Sequence, residues 1–392
     1  MTGLQTARIL KRRGVPVLAI AKDLSHFCCR TNACQKIFEA DITSEELVLL
    51  LEDFGPSLGQ KAVLFPCTDL SVLMLSRHRQ RLERWYSIAL PDPEVVETLM
   101  DKVRFCNFAK EAGLPIPGTF FLSSRQEAEQ ATGSLTFPCI LKPPIKTPMW
   151  ESHTKAKVYK ASSPGELLKL YDQCSQWADL LMVQEWVEGK DANLYSCNCY
   201  FDDQSEPLVT FIARKLRQWP PETGTSCLGE ECRNDIVLEE SIRLFRSVHY
   251  RGLGYVEMKR DDRSGKHYII EPNIGRPTGR SAIAEAGGVE LIYTMYCDLA
   301  GHPLPVNREQ TYGSVKWIYL RKDIQSALYY WRRGDLSLLD WWRSWQGRKA
   351  YAIFSRNDLA PFLFDFIRVF GLLIGRSKGK KPRVQSPKSP VS

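Results

Sequence analysis

The sequence predicts a mixed fold, an open α/β unit followed by a larger α+β unit that is mostly antiparallel, and three observations carry that reading. Apolar runs alternate with amphipathic stretches over the first 95 or so residues; period-two runs follow one another from about residue 119 to 274; and the chain turns aromatic-rich from Trp317. With 392 residues there is material for two or three domains with sizeable cores, and a hydrophobic content of 44% fits a soluble globular protein. The expected division is 1–95, 96–310 with a smaller lid-like part at about 115–185, an extension at 311–375 and a basic tail at 376–392.

The elements follow in order. "MTGLQTARILKRRGVPVLAIAKD" reads as a helix stopped at Gly14 and a strand from Pro16 to Ala21, the second half of a βαβ unit without its first strand; a displaced start or a short sheet would each account for it. "KAVLFPCTDLSVLMLSRHRQRL" repeats the strand–helix order, with Asp69 where the helical pattern begins. A helix then starts near Asp101 and stops at Gly113 and two prolines. Strand patterns come next at "FPCILKPP", "AKVYKAS", "LLMVQEWV", "ANLYSCNCYFD" and "PLVTFIARKL", with one helical stretch at "SPGELLKLYDQCSQWA". The helix "DIVLEESIRLFRSVHY" leads into "GLGYVEMKRDD" and "KHYIIEPNI", a hairpin turning near Arg263 to Gly265.

Charge and cysteine content exclude several classes. The formal charge is +8, but the tail from Arg376 carries six Lys or Arg and no acid, so the rest of the chain is nearly neutral and nucleic acid is not an expected partner. The twelve cysteines run from Cys28 to Cys297 without a CxxC pair and no signal peptide opens the chain, which suits a reducing cytoplasm. Their closest groupings read as small buried hydrophobes before zinc ligands. No apolar run reaches the roughly 18 to 20 residues of a spanning helix. The helix in "PFLFDFIRVFGLLIGRSKGKK" reads as a cap packed on its domain, or as an interfacial helix whose basic tail contacts anionic membrane.

The chemistry concentrates at "YIIEPNIGRPTGRS". Glu271 and Asn273 share one strand face, and Glu257 on the other arm of the hairpin can face Glu271 at about 5 Å. Two carboxylates at about 4 Å repel by about 4 kcal/mol at an effective dielectric near 20, so the pair needs a cation, a shared proton or a base between them. With Asn273 the set is all oxygen, which selects magnesium, with manganese as the substitute. Magnesium held by few protein oxygens waits for phosphate, and this gives meaning to Lys102, at the start of a helix, and to Lys142, at the end of an apolar strand where a buried ammonium needs an anion.

The ordered set "DKVRFCNFAKEAGLPIP", "FPCILKP", "VQEWVEGKDA", "GYVEMK" and "EPN" resembles the ATP-grasp superfamily, most of all its carboxylate–amine ligases, and the resemblance covers nearly the whole chain, with 1–95 as the pre-ATP-grasp domain. It implies ATP and Mg2+ as cofactors, Lys102 and Lys142 on the nucleotide phosphates, and Gln184, Glu185, Trp186 and Val187 as the linker that reads adenine through its backbone. It further implies Asp191 on the ribose, Glu257, Glu271 and Asn273 as metal ligands, Lys215 on the γ-phosphate, and Arg276 or Arg280 on the transition state or the substrate carboxylate. "FIARKLRQWPPETGTSCLGE" is similar to the phosphate-covering loop of that group.

Two departures stand out. The usual Glu-x-Asn-x-Arg ending has one extra residue before Arg276, and "PIKTPMWESHTKAK" lacks a glycine-rich phosphate flap, leaving Lys146, Lys155 and Lys157 as its substitutes or as solvated charges. The "TGLQTARIL" helix also lacks the leading glycine of a dinucleotide fingerprint, which argues against an NAD site. The activity implied is ATP-dependent ligation of a small carboxylate and an amine, such as an amino acid, through an acyl phosphate. The rival readings are a phosphotransferase or carboxylase-type use of the same scaffold and a non-catalytic ATP-binding module, regulatory or membrane-associated.

Overall fold

The computed structural model describes residues 1–279 and 281–378; Arg280 and the tail from 379 lie outside the described residues. The chain opens with the helix Thr2–Arg12, then β1 (Leu18–Ala21) pairs in parallel with β2 (Lys36–Glu39). After the helix Glu46–Phe54, β3 (Ala62–Val63) pairs in parallel with β4 (Tyr86–Ser87), the two joined by the helix Asp69–Arg77. Thr68 starts that helix with a capping box: its hydroxyl accepts from Ser71 N and the Ser71 hydroxyl accepts from Thr68 N, meeting two amides that a helix start leaves without partners.

Asp101 caps the helix Lys102–Glu111 by accepting from Val103 N and Arg104 N, so Lys102 occupies the first turn, as the sequence places it. A four-stranded antiparallel sheet follows in the order β5 (Thr119–Leu122), β8 (Leu181–Glu185), β6 (Cys139–Lys142), β7 (Tyr159–Ala161). It has a core of its own around Leu122, Leu141, Trp150, Leu167 and Val183. Sequence reading gives one helix in this region and the structure has three, adding Arg125–Thr132 and Pro148–His153. The first carries a capping box between Ser124 and Glu127, and the second begins at Thr147 followed by Pro148. Both are short, with too few apolar positions to show a period.

The largest sheet has seven strands in the order β13 (His267–Ile274), β12 (Gly252–Arg260), β9 (Leu194–Phe201), β10 (Pro207–Trp219), β11 (Thr225–Glu231), β14 (Lys316–Ile318), β15 (Lys349–Tyr351), antiparallel except for β14 and β15. "LYSCNCYF" in β9 shows how its two faces differ. Cys197, Cys199 and Phe201 pack with Val237, Leu244 and Phe245 of the helix Asp235–Ser247, whereas Tyr200 packs on the other face with Ile283, Ile292 and Met295. The segment similar to a phosphate-covering loop lies in a long hairpin of β10 and β11, whose strands pair from Ala213 to Trp219. No described helix is long and apolar enough to cross a membrane. On the last helix, Ala360–Lys378, Leu363, Phe364, Phe366 and Ile367 are exposed while Asp365 is buried.

Candidate active site

The hairpin register places Glu257 directly opposite Glu271 and Tyr255 opposite Asn273. On the next strand Ser196 lies beside Glu257, and beyond it Ala213 of β10, so Lys215, two residues along, is on the same face. Ser196 is small enough to be reached across. The Lys215 ammonium lies 2.9 Å from Glu257 Oε1, both side chains largely buried, and so supplies the cation that the facing carboxylates require.

The extra residue before Arg276 is Gly275, and its φ of +67° explains why it is a glycine. Its amide donates to Leu253 O and to the Tyr250 hydroxyl, and a Cβ there would meet Leu90 Cδ2 at 2.4 Å and Val72 Cγ1 at 2.7 Å. The turn brings Arg276 back onto its own strand end, where Nη2 donates to Asn273 Oδ1 at 2.7 Å and Nε donates to Asp69 Oδ1 at the start of the helix Asp69–Arg77. Asn273 Nδ2 points to Glu271 Oε1 at 3.5 Å. Arg276 and Asn273 are therefore already joined, and Asp69 enters as a site residue that sequence reading marks only as a helix start.

Lys142 comes from the small sheet and Glu271 from the large one, yet the two interact electrostatically. Burial pushes the Lys142 ammonium below the ordinary lysine value, Lys102 and Lys157 push it further, and Glu271 opposes them. The positive charge of Lys102 and Lys157 adds to that of Lys142, which favours an anion there. Lys157 donates to Thr223 O at 2.9 Å at the tip of the β10–β11 hairpin, and so joins the small sheet to that hairpin.

The linker divides its work. Gln184 Nε2 donates to Thr119 Oγ1, and the Glu185 carboxylate accepts from Gly118 N and Thr136 N, so both side chains serve the small sheet. Trp186 N donates to Pro138 O, and its carbonyl accepts from Arg263 Nη2 at 3.2 Å. The Trp186 ring lies 4.6 Å from Lys259 Nζ and 4.7 Å from Lys160 Nζ, and Val187 is buried. Asp191 accepts from Gln218 Nε2 at 2.7 Å and from the Tyr330 hydroxyl at 2.8 Å. Tyr330 belongs to the helix Leu320–Arg332, beyond every motif in the sequence.

Lys102, Lys142, Lys215, Glu257, Glu271, Asn273 and Arg276 thus converge between the two sheets, with Asp191 and Trp186 at the linker. No group of three or more His, Cys, Asp or Glu suited to a metal occurs among the described residues. An oxygen set here consists of two carboxylates and an amide. The hard-oxygen donors and the lysine now facing them fit a divalent cation bound together with phosphate.

This architecture is the ATP-grasp fold. The chain is similar to the D-aspartate ligase of Enterococcus faecium, with 23% identity over 252 residues, covering 61% of this chain and 58% of that one. Among solved structures it is similar to N5-carboxyaminoimidazole synthetase of Staphylococcus aureus complexed with ADP, at a TM-score of 0.62 and 14% identity over 79% of this chain and 77% of the other. A third likeness is the biotin carboxylase domain of the Hydrogenobacter thermophilus 2-oxoglutarate carboxylase in complex with MgADP, at a TM-score of 0.61 and 15% identity over 78% and 69%. No family model matches the chain.

Proposed function

We propose that the protein is an ATP-dependent ligase that joins a small carboxylate to an amine, with an amino acid as one substrate. The observation that carries the reading is the in-register pair Glu257 and Glu271, neutralised on one side by Lys215, with Glu271 and Lys102 both acting electrostatically on Lys142. The Lys215–Glu257 pair is largely buried, and the desolvation cost of that pair is accounted for by a site that handles phosphate. The likeness to a D-aspartate ligase and to an ADP-bound synthetase supports both the substrate class and the nucleotide.

In this reading a carboxylate oxygen of the substrate attacks the γ-phosphorus of ATP, the bond to ADP breaks, and an acyl phosphate forms. The amine nitrogen then attacks the acyl carbon, phosphate leaves, and the nitrogen loses a proton to give the amide. Lys102 and Lys142 hold the polyphosphate, and Lys215 swings from Glu257 to the transferring phosphoryl group, whose growing negative charge it offsets. Glu257, Glu271 and Asn273 would hold magnesium, which when bound neutralises phosphate charge. Arg276, fixed by Asp69, holds the substrate carboxylate in line; Arg280 is proposed for the same task on sequence alone. Asp191 holds the ribose, and the backbone of Trp186 and Val187 reads the adenine.

The test is amine-dependent ADP release, screened over small carboxylates and amino acids with magnesium present. Glu271→Gln is expected to keep its melting temperature and lose at least about a hundredfold in turnover, the size of one removed transition-state charge contact. Undiminished ADP release by that variant would sink the assignment. A protein that is stabilised by magnesium and ATP but never releases ADP would be a binding module.

A further inference from the structure

Gly252 opens β12 with a φ of +106°, and a Cβ there would collide with Ala89 O. The start of β12 therefore lies directly against the chain that leaves β4, a contact that glycine alone permits. Arg251, the residue before it, faces a cavity of about 450 Å3 that it shares with Arg79 of the short helix Arg79–Leu82. That volume falls within the about 300–1,000 Å3 of small-molecule sites.

Neither arginine has a counter-ion of the protein's own. Arg251 makes no side-chain hydrogen bond or ion pair among the described residues, and its Nε is buried without a partner. Arg79 donates from Nη2 to Pro91 O, and its Nε is likewise buried and unpartnered. Burial lowers the pKa of Arg79; Asp92 and Glu83 oppose that shift, while Arg251 adds to it, so the two guanidinium groups repel. Half-buried cations that repel one another call for an anion between them. The other charged groups of the cavity divide by depth. Asp298 of the helix Leu291–Ala300 is half-buried and already accepts from the Tyr200 hydroxyl, whereas Lys61, Glu83 and Asp203 are exposed at the rim. The inner part thus sets two positive charges against one negative, and the rim sets two negative against one positive.

We propose that this cavity binds a small α-amino acid, with the carboxylate held by Arg79 and Arg251 and the ammonium by Glu83 and Asp203. The planar forks of two arginines match the two oxygens of a carboxylate. A single negative charge balances the inner part, and a single positive charge balances the rim. A dianion such as phosphate would instead leave surplus negative charge beside Asp298 and the rim acids. Arg251 lies six residues before Glu257, about 20 Å along an extended strand, so this is a second site, apart from the hairpin that carries the carboxylate pair. The assignment rests on the charges of the cavity and does not depend on the reaction proposed for the main site.

The test measures the melting temperature of the full chain, without ATP, against the common amino acids in L and D form, acetate, ethylamine and inorganic phosphate, and follows every stabilising compound by titration calorimetry. At least one amino acid is expected to bind, and to bind more tightly than acetate, ethylamine or phosphate. Arg251→Gln should weaken that binding about tenfold or more, and Asp203→Asn, at an exposed position, about threefold. Glu271→Gln should bind the amino acid as the native chain does. Because Arg251 has no partner and repels Arg79, Arg251→Gln is expected to melt no lower than the native chain. Three results would overturn the proposal: no amino acid binds, binding survives both Arg251→Gln and Asp203→Asn, which would place the amino acid in the main site, or phosphate binds as tightly as any amino acid, which would make the cavity an anion site only.

Discussion

Lys142 shows what a single side chain contributes to this site. Its pKa is depressed below the ordinary 10.5, first by burial and then by Lys102, so in the free protein its charged form is disfavoured. The sign follows: a lysine depressed in the folded state makes the free protein gain stability as pH rises through the folded value towards 10.5, because the unfolded chain binds more protons there. A polyphosphate reverses this by favouring the ammonium. ATP binding at alkaline pH is therefore expected to take up protons, seen as a binding heat that changes with the ionisation enthalpy of the buffer. Lys142→Met should abolish the uptake and weaken ATP about 10- to 100-fold, the loss of a charge-assisted contact of about 1.5–3 kcal/mol. Equal heats in both buffers would rule out Lys142 as the phosphate partner. The residues of this kind were legible in the sequence because strand period two fixes which carboxylates share a face. Asp69 and Tyr330 were not, because they reach the site from elements more than fifty residues away from the motifs they join, through contacts that no local pattern encodes.

At the scale of elements, the turn after β13 decides where Arg276 points. Gly275 has a positive φ and no room for a methyl group against Leu90 and Val72. Gly275→Ala combines a backbone penalty of about 1 kcal/mol with overpacking of about 1–3 kcal/mol, so unfolding in denaturant should show a loss of about 2–4 kcal/mol. A second change, Leu90→Ala, should cost less in that background than in the native one, because it vacates the colliding atoms. Additive losses would refute the clash. The same element shows why sequence reading goes only part of the way. The hairpin and its register follow from alternation in "GYVEMK" and "YIIEPNI", but the extra residue reads only as a departure until the packing of Leu90 and Val72 shows what glycine permits. The helices Arg125–Thr132 and Pro148–His153 were missed because their signal lies in capping residues, not in an apolar stripe.

The whole molecule is closed by the part of the chain that composition sets apart. β14 and β15, both from beyond residue 311, extend the largest sheet, and the helix Leu320–Arg332 carries Asp323, fully buried, to Arg217 of β10. Trp341 and Trp345 donate their ring N–H groups to the same carboxylate. At the other end, Asp358 takes the buried Arg8 of the first helix and also accepts from Thr31 and Asn32 N. Cutting the chain at residue 311 would remove the partners of Arg217 and Arg8 and uncover Leu228 and Cys227 on the new sheet edge. Against the about 5–15 kcal/mol by which a typical protein is stable, the loss of two sheet strands and of the apolar area they cover is a large share. Residues 1–311 are therefore expected to be insoluble or to melt without cooperativity, although they contain every sequence motif of the site. A soluble fragment that melts cooperatively near the temperature of the full chain would show that the region beyond 311 is dispensable to the fold.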